Sequence, residues 1–584
     1  MSNRRSVRIG NMSGYYGDRP SAAQEMLDGG PVDVVCGDYL AELTMVILDR
    51  DRRRSGGGYA RTFLAHAEAV LGQCLDRNIK IVVNAGGLNP SGLAAELHEL
   101  AKKLGLAPKV SWLEGDDLVE RVPDLLTRAN GFRHLDTGEA FEPEKHRLVA
   151  ANAYLGAWGI VEALEAGADI VICPRVTDAS LVVGPAAWWH GWRRTDWDQL
   201  AGAVVAGHVI ECGTQATGGN YPFLDELEPG SPGFPIAEVA ADGSSIITKH
   251  AGTPGGVTVG TVTAQLVYEI GSPDYLNPDV VSRFDALKVE VVDKNRVQIT
   301  GATGYPPPPT LKVGLIAEGG HTNSMSMVFT GLDIERKIEI AEERLFDRLG
   351  RCDQFAEVRR TRLDAIQGNV PIVIHTITVR SMDATLVGRR FSNAVTETAL
   401  ASYAGFFCTT PPTAATPVSI FWPTLVPAAE VTHVVALPDG SRRIVEPSPS
   451  ASAPPRTEAV AGPPVEFGPS DRAPLGTVCG ARSGDKAGKA NVGVWAFDRA
   501  GFAWLEQFLT VDRLRSLVVD AGDRTIRRWT LPGVHALNFE IEGLLGMGVS
   551  ETSRFDPQAK GLGEMVRAAV VDIPLDLGRR SVSR

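Results

Sequence analysis

The sequence predicts an α/β protein with a parallel-sheet N-terminal region, an α+β middle region and a small α+β C-terminal domain. Three observations support this prediction. In residues 1–195, short Val/Ile runs alternate with helix-length segments, as in a parallel sheet buried on both faces. From about residue 234 onward, short alternating strands are joined by hairpin turns. Residues 446–474, rich in Pro, Ala and Ser, then form a linker to a tail of residues 475–584.

The composition argues against several classes of partner. With 584 residues, 44% of them hydrophobic, the chain can bury more than one core. Its net charge of -12 argues against sequence-independent nucleic-acid binding and against an anionic membrane surface. No apolar run approaches the roughly 20 residues of a membrane-spanning helix, and no apolar signal-peptide core follows the basic start. We therefore expect a cytoplasmic protein that acts on a small molecule, as a monomer or a homo-oligomer.

The N-terminal region begins with a strand from Val7, a glycine-rich turn and a helix from about Ala22. The residues from Asp51 to Gly58 are predicted to be a solvated loop, and a long helix is predicted from Lys145 to Ala166. The other predicted strands are Val32–Cys36, Lys80–Asn84, Val110–Leu113 and Asp169–Cys173; the other predicted helices are Leu40–Met45, Phe63–Arg77 and a helix from Leu93.

Polar residues follow four of these strands. Ligands of open α/β sheets bind beyond the carboxyl ends of the strands, so these loops are expected to meet at one pocket. The first loop precedes a helix N-terminus and could form an anion cradle or an ordinary turn. The candidate residues are Gly14, Gly17, Asp18 and Arg19; Gly37, Asp38 and Glu42; Asn84, Gly86, Gly87 and Asn89; and Arg175, Thr177 and Asp178.

The segment from Ala206 to Tyr221 has four glycines among polar side chains, a density that suits contacts to a polar ligand. We interpret Cys212 as a small buried thiol and His208 as a structural histidine. The seven cysteines of the chain form no CxxC pair, which is typical of a reducing compartment and offers no zinc site. The candidate ligand residues of this segment are Glu211, Gln215, Thr217, Gly218, Gly219 and Asn220.

The middle region is predicted to form an α+β unit that completes a core of residues 1–445, with a loop over Gly319–Ser326. Its predicted strands are Phe234–Val239, Ser245–Lys249, Lys288–Val292, Arg296–Thr300, Thr310–Gly314 and Val370–Val379, and its predicted helices are Ile334–Leu349 and Asn393–Phe407.

The tail is predicted to open with a strand, Leu475–Cys479, and a glycine loop over Gly480–Lys489, followed by a strand to Ala496 and a unit of strands and helices. The loop could hold a phosphate or carboxylate, or it could dock the tail on the core. Both interpretations stay open, and the residues concerned are Arg482, Ser483, Asp485 and Lys486.

Four segments together resemble the acyclic terpene utilisation (AtuA-like) family: Ile9–Arg19, Asn84–Pro90, Gly207–Asn220 and Ala481–Lys486. The tail resembles the ferredoxin-like C-terminal domain of that family, although Ala487 stands where the family pattern has glycine. The resemblance implies a bacterial protein of terpenoid breakdown, a route through branched acyl-CoA thioesters. The expected substrate therefore carries a CoA thioester or a carboxylate.

Three hypotheses follow. The first is an enzyme of branched acyl-CoA catabolism with hydratase or lyase chemistry, in which Asp38, Asp178 and Glu211 are candidate bases and the amides of Gly86, Gly87, Gly218 and Gly219 hold an enolate oxygen. The second is phosphate-ester or nucleotide chemistry, with Asp38 and Asp178 holding Mg²⁺ beside the Gly14–Arg19 loop. The third is a non-catalytic subunit of a CoA-dependent complex. The need for a metal or a cofactor stays undetermined.

Overall fold

A computed structural model of the protein describes residues 4–128, 130–350, 352–451 and 465–580. The helices are α1 (Ala22–Asp28), α2 (Glu42–Ser55), α3 (Thr62–Asp76), α4 (Pro90–Lys103), α5 (Val122–Arg128), α6 (Trp158–Glu165), α7 (Ser180–His190), α8 (Trp197–Ile210), α9 (Val259–Leu266), α10 (Ile334–Leu349), α11 (Ala384–Val387), α12 (Arg389–Glu397), α13 (Arg499–Phe508), α14 (Val511–Leu517) and α15 (Leu562–Ala568).

The strands fall into a large mixed sheet, smaller sheets in the middle region and a separate sheet in the tail. They are β1 (Val7–Asn11), β2 (Val34–Gly37), β3 (Lys80–Val83), β4 (Val110–Glu114), β5 (Leu148–Ala153), β6 (Ile170–Ile172), β7 (Pro235–Val239), β8 (Ser245–Lys249), β9 (Asp274–Leu276), β10 (Val281–Arg283), β11 (Lys288–Asp293), β12 (Arg296–Thr300), β13 (Thr303–Tyr305), β14 (Thr310–Thr330), β15 (Glu357–Gln367), β16 (Val370–Ser381), β17 (Phe407–Cys408), β18 (Thr416–Pro427), β19 (Val434–Ala436), β20 (Arg442–Ile444), β21 (Ser470–Pro474), β22 (Cys479–Lys486), β23 (Lys489–Ala496), β24 (Ile526–Leu531), β25 (Ala536–Ile541) and β26 (Val570–Pro574).

The predicted parallel sheet is confirmed as the centre of the main sheet, where β1, β2, β3, β6 and β4 lie side by side and parallel. Their Val and Ile side chains are buried because helices cover both faces: α1, α3 and α4 pack around Phe63 on one face, and α6, α7 and α8 pack around Ile160 on the other. Burying a side chain of this size contributes about 2–3 kcal/mol. The carboxyl ends of all five strands therefore share one edge.

The main sheet continues into the middle region. Antiparallel strands β7, β8, β12 and β11 extend it beyond β1, and β19 and β20 extend it beyond β4. Strands from both halves of the core thus share one sheet. Within the described residues, no helix is long and apolar enough to cross a membrane.

The predicted helix from Lys145 to Ala166 is wrong in its first half. Strand β5 occupies Leu148–Ala153, and α6 begins only at Trp158. Strand β5 pairs with β14, with Ala151 opposite Leu315, so a partner more than 150 residues away decides its conformation.

Two predicted loops are also wrong. Gly319–Ser326 lies inside β14, where a bulge between Glu318 and His321 places Gly320 at a φ of +86°. Helix α2 runs through the predicted Asp51–Gly58 loop as far as Ser55 and ends at Gly56, whose φ is +76°. In addition, α12 ends at Glu397, well before the predicted limit of Phe407.

The tail is a four-stranded antiparallel sheet in the order β22-β23-β25-β24, covered by α13, α14 and α15. The predicted glycine loop is wrong: β22 runs to Lys486 and β23 starts at Lys489, so only Ala487 and Gly488 form the turn. Ala487 takes the left-handed conformation, with a φ of +57°, that glycine would adopt without strain. Of the predicted linker, residues 452–464 lie outside the described residues, and Ser470–Pro474 form β21, which pairs with β26.

Two buried asparagines of the tail hold it against the core. Asn538 donates to the carbonyl oxygens of Ile270 (2.9 Å) and Gly271 (2.7 Å), and Asn491 accepts from the amide of Glu269 (2.8 Å). The turn of β22 and β23 is thereby placed over the carboxyl edge of the parallel strands.

Candidate functional site

Asp38 and Asn84, which follow neighbouring parallel strands, are in contact at the carboxyl edge. The Asn84 side chain donates to Asp38 Oδ1 (2.6 Å) and accepts from the amide of Tyr39 (2.7 Å). The amide of Asp38 donates to the carbonyl oxygen of Ser13 in the first loop (2.9 Å). The structure thus brings the loops after β1, β2 and β3 together.

A group of charged side chains surrounds Tyr154 at the same edge. The guanidinium of Arg175 lies 4.3 Å from the centre of the Tyr154 ring, and the ammonium of Lys312 lies 4.6 Å from it. The Tyr154 hydroxyl donates to Glu42 Oε1 at 3.3 Å, and Arg175 Nη1 lies 3.4 Å from Asp178 Oδ1. Two cations and two carboxylates therefore meet around one aromatic ring.

Glu211 and Lys486 extend this group toward the tail. Glu211 Oε1 lies 3.2 Å from His208 Nδ1, and its other carboxylate oxygen is buried without a hydrogen-bond partner among the described residues. The Lys486 ammonium donates to the carbonyl oxygen of Glu269 (2.6 Å) and lies 5.4 Å from the ring centre of Tyr275. We call Asp38, Glu42, Arg175, Asp178, Glu211, Lys312 and Lys486 the charged cluster.

The carboxyl groups of the charged cluster differ in the direction in which their surroundings shift the pKa. Burial raises the pKa of Asp38 and of Glu211, and the charge of Asp178 raises both further. Burial also raises the pKa of Asp178, with Arg175 only partly offsetting the effect. Burial likewise opposes ionisation of Glu42, but the charges of Lys312 and Arg175, together with hydrogen bonds from the Glu42 backbone and Tyr154, outweigh it, so the pKa of Glu42 is lowered. Neighbouring carboxyl groups with pKa values pushed in opposite directions are typical of acid and base pairs.

A cleft of about 520 Å³, including its open mouth, adjoins the charged cluster. The core and the tail each supply part of its wall, and most of the wall is apolar. The ionisable residues among those that line it are Glu42 and Asp485. Burial and the charge of Glu269 raise the pKa of Asp485 to about 6, although the charge of Lys560 acts in the opposite direction. The lining residues are Ala41, Glu42, Leu43, Val46, Ile316, Ser419, Ile420, Phe421, Asp485, Ala487, Gly548, Val549, Ser550 and Gln558.

The predicted anion cradle of the first loop is already occupied by the loop's own side chain. Asp18 accepts from the amides of Gly14 and Arg19, both at 2.9 Å. Arg19 pairs with Glu25 and covers the ring of Phe234. Asp18 and Arg19 therefore stabilise their loop instead of joining the charged cluster.

Gly14 and Gly17 differ in what surrounds them, although both were predicted to bind substrate. A Cβ on Gly14 would lie 2.6–2.9 Å from backbone atoms of Cys212 and Gly213, whereas one on Gly17 would meet the exposed ring of Tyr15. We expect Gly14→Ala to lower the free energy of unfolding by about 1–3 kcal/mol, because the backbone atoms that the new methyl group meets cannot move aside. We expect Gly17→Ala to change it little, because the exposed ring of Tyr15 can rotate away. Urea denaturation of both variants checks this, and equal losses would contradict it.

The predicted amide donors are not available to an enolate oxygen, which corrects the sequence-based hypothesis. Gly86 donates to the carbonyl oxygen of Cys173 (3.0 Å), Gly87 to that of Asn84 (3.3 Å) and Gly219 to that of Thr214 (2.8 Å). Gly218 donates to the carbonyl oxygen of Gln215 (3.4 Å). These glycines close turns, and positive φ values at Gly87 and Gly218 require glycine there.

The remaining predicted ligand residues have structural partners. Asn89 caps α4 by accepting from Gly92 N (2.9 Å), and Thr217 donates to the carbonyl oxygen of Gly233 (2.6 Å). Thr177 pairs with the Ser180 hydroxyl (2.6 Å). Gly37 is the last residue of β2.

Different residues of the hairpin formed by β22 and β23 contact the core and the candidate site. Arg482 donates to the carbonyl oxygen of Asn220 (2.9 Å) and to the side chain of Gln215, and Ser483 bonds within the tail. Asp485 and Lys486, in contrast, reach the cleft and the charged cluster. The docking interpretation is confirmed for Arg482, whereas ligand binding by Asp485 and Lys486 stays a prediction.

Sequence reasoning missed Lys312, Tyr154 and Glu269. A lysine between Leu311 and Val313 in the predicted strand Thr310–Gly314 was a signal for Lys312. Tyr154 fell within the wrongly predicted helix. Among the described residues, no group of three or more His, Cys, Asp or Glu side chains is arranged to hold a metal ion.

Comparison with known proteins identifies two matching family models. Residues 7–437 match the acyclic terpene utilisation family protein AtuA, and residues 473–572 match the AtuA ferredoxin-like domain. Comparisons with curated proteins and with solved structures gave no match. The first model alone covers well over half of the chain, and the second matches the domain that supplies Asp485 and Lys486. The chain therefore belongs to the acyclic terpene utilisation family AtuA and carries the family's ferredoxin-like domain after its core.

Proposed function

We propose that the protein is an enzyme of acyclic terpenoid or branched-chain catabolism that adds water to, or removes it from, a CoA thioester or a carboxylic acid. The observation that carries the proposal is the pair Glu42 and Asp178, whose pKa values are shifted in opposite directions beside an apolar cleft.

Adding water to a double bond conjugated to a carbonyl group requires a base for the water and an acid for the α carbon. Glu42, whose pKa is lowered, lines the cleft and is held by the Tyr154 hydroxyl, so its carboxylate can take the proton of the water. Asp178 retains its own proton more readily than an ordinary carboxyl group does, and it can supply that proton to the α carbon. Arg175 and Lys312 can stabilise the negative charge that develops on the carbonyl oxygen.

The apolar walls of the cleft support a substrate with a hydrocarbon chain. Leu43, Val46, Ile316 and Phe421 offer no hydrogen bonds from their side chains, whereas Glu42 and Asp485 supply the charged groups of the wall. Such a site orients an amphipathic molecule with its reactive head toward Glu42.

The experiment is to incubate the purified protein with branched enoyl-CoA and hydroxyacyl-CoA esters and the corresponding free acids, and to follow hydration or dehydration by mass spectrometry. We expect turnover of at least one branched compound and slower turnover of a three-carbon control, acryloyl-CoA, which carries the reactive double bond but cannot fill the cleft. Failure to convert any member of the panel would reject the proposal.

The phosphate-ester hypothesis receives less support, because Asp18 already occupies the amides that would cradle a phosphate. An increase in melting temperature with ATP, polyphosphate or Mg²⁺ would revive it. The non-catalytic hypothesis would gain support from a partner complex whose rate is unchanged when Asp178 is replaced.

A further inference from the structure

Two lysines of the charged cluster have no carboxylate partner. Among the described residues, no carboxylate oxygen lies within 4.0 Å of the ammonium of Lys312 or of Lys486. Lys312 contacts the rings of Tyr154 and Phe421, and Lys486 donates to one backbone carbonyl oxygen. Each ammonium carries three donors, so both retain donors for another acceptor.

The lack of a carboxylate partner distinguishes Lys312 and Lys486 from two other lysines of the same interface. Lys489, three residues after Lys486, lies 2.9 Å from Asp136 of the core, and Lys560 of the tail lies 3.5 Å from Glu269 of the core. Lysines that hold the two domains together are thus paired with carboxylates. Because neither ammonium has a carboxylate within ion-pair distance and both keep unused donors, Lys312 and Lys486 are able to bind an anion that comes from outside the chain.

The electrostatics of the interface agree with this interpretation. Burial lowers the pKa of Lys486, and the charge of Lys312 lowers it further, although the charges of Glu269, Glu540 and Glu211 act in the opposite direction. Both side chains are only half-buried. An anion bound between them would relieve the repulsion.

The location of the lysines indicates what the anion is attached to. The Lys312 ammonium lies 5.7 Å from the ring centre of Phe421, which lines the cleft. Asp485 and Ala487, the neighbours of Lys486 in the chain, line it from the tail. A molecule with its chain in the cleft would therefore place its head group near the Lys312 ammonium and beside the tail turn that carries Lys486.

We propose that Lys312 of the core and Lys486 of the ferredoxin-like domain together bind the carboxylate group of an aliphatic acid whose chain lies in the cleft. This inference deepens the proposed function by choosing the carboxylate over the neutral thioester as the group that is recognised. It also makes the site dependent on both domains.

The test measures binding and does not require turnover. Octanoate is titrated into the full-length protein while the melting temperature is followed, with octanamide as the neutral control of equal length and octanoyl-CoA as the thioester. We expect octanoate to raise the melting temperature in proportion to its affinity, and octanamide and octanoyl-CoA to have a much smaller effect.

Three variants locate the binding site. We expect Lys312→Met and Lys486→Met each to weaken octanoate binding by roughly tenfold or more, because each removes a charge-assisted hydrogen bond. The matched control is Lys489→Met, which should lower the melting temperature of the free protein but keep the shift caused by octanoate. Each shift is measured against the same variant without ligand.

The outcomes separate this inference from the proposed function. Turnover of acyl-CoA esters without octanoate binding, or octanoate binding that persists in both Lys312→Met and Lys486→Met, would overturn the inference and leave the proposed function standing. Lysine-dependent octanoate binding without turnover of any ester or acid would support the inference and reject the proposed function.

Discussion

Asp178→Asn is expected to lower kcat by about 10²–10⁴-fold, the usual contribution of a group that transfers a proton. Asp178 is 29% exposed in its side chain, lies 3.4 Å from Arg175 and has a raised pKa, so it is poised to hold and release a proton. Asparagine has the same shape but cannot exchange that proton. The melting temperature should therefore change little while turnover of the active compound is lost.

The matched control is Asp196→Asn. Asp196 stands three residues after Arg193, just as Asp178 follows Arg175, and its carboxylate lies 2.8 Å from that arginine. The arginine is 80% exposed, however, and the pair lies apart from the cleft. Unchanged turnover is expected for this variant. If Asp178→Asn were as active as Asp196→Asn, Asp178 would have no part in catalysis.

Asn538→Ala is expected to produce the largest loss of stability, because it leaves several buried groups without partners. The fully buried side chain of Asn538 donates to the carbonyl oxygens of Ile270 and Gly271 and accepts from Asn491. Each group left unpaired in the interior costs about 1–3 kcal/mol. We therefore expect the docking of the tail on the core to weaken by roughly 3 kcal/mol or more.

Calorimetry of the full-length protein checks this expectation, because weaker docking should separate the melting of the tail from that of the core. Asn491→Ala combined with Asn538→Ala should cost less than the sum of the single changes, since the two side chains share partners. Octanoate binding should fall as well, because Lys486 would leave the charged cluster. A single melting transition at the temperature of the unmodified protein would contradict the docking role of Asn538.

The main elements of the N-terminal region could be predicted because each depends on neighbouring residues. The apolar runs that form β2 and β3 must be buried on both faces, and the polar residues that follow them mark where each strand ends. Asp38 and Asn84 were correctly expected at one edge, because parallel strands align their carboxyl ends there.

The errors lie where a distant partner decides the conformation. The residues of β5 have little strand preference of their own, yet pairing with β14 makes them a strand. The amides of Gly86 and Gly219 looked free in the sequence but bond to carbonyl oxygens brought close by the fold. The turn at Ala487 shows the same effect, since a left-handed conformation is imposed on a residue other than glycine.

By itself, the sequence determined the family, the parallel sheet and the edge at which polar groups gather, because these follow from local patterns of apolar and polar residues. Only the tertiary structure decided that Lys312 of the core and Lys486 of the tail join one charged cluster, that the glycine amides are occupied, and that the pKa of Glu42 is lowered while that of Asp178 is raised. The physical reason is that burial and charge act through space, between groups that can lie hundreds of residues apart in the chain.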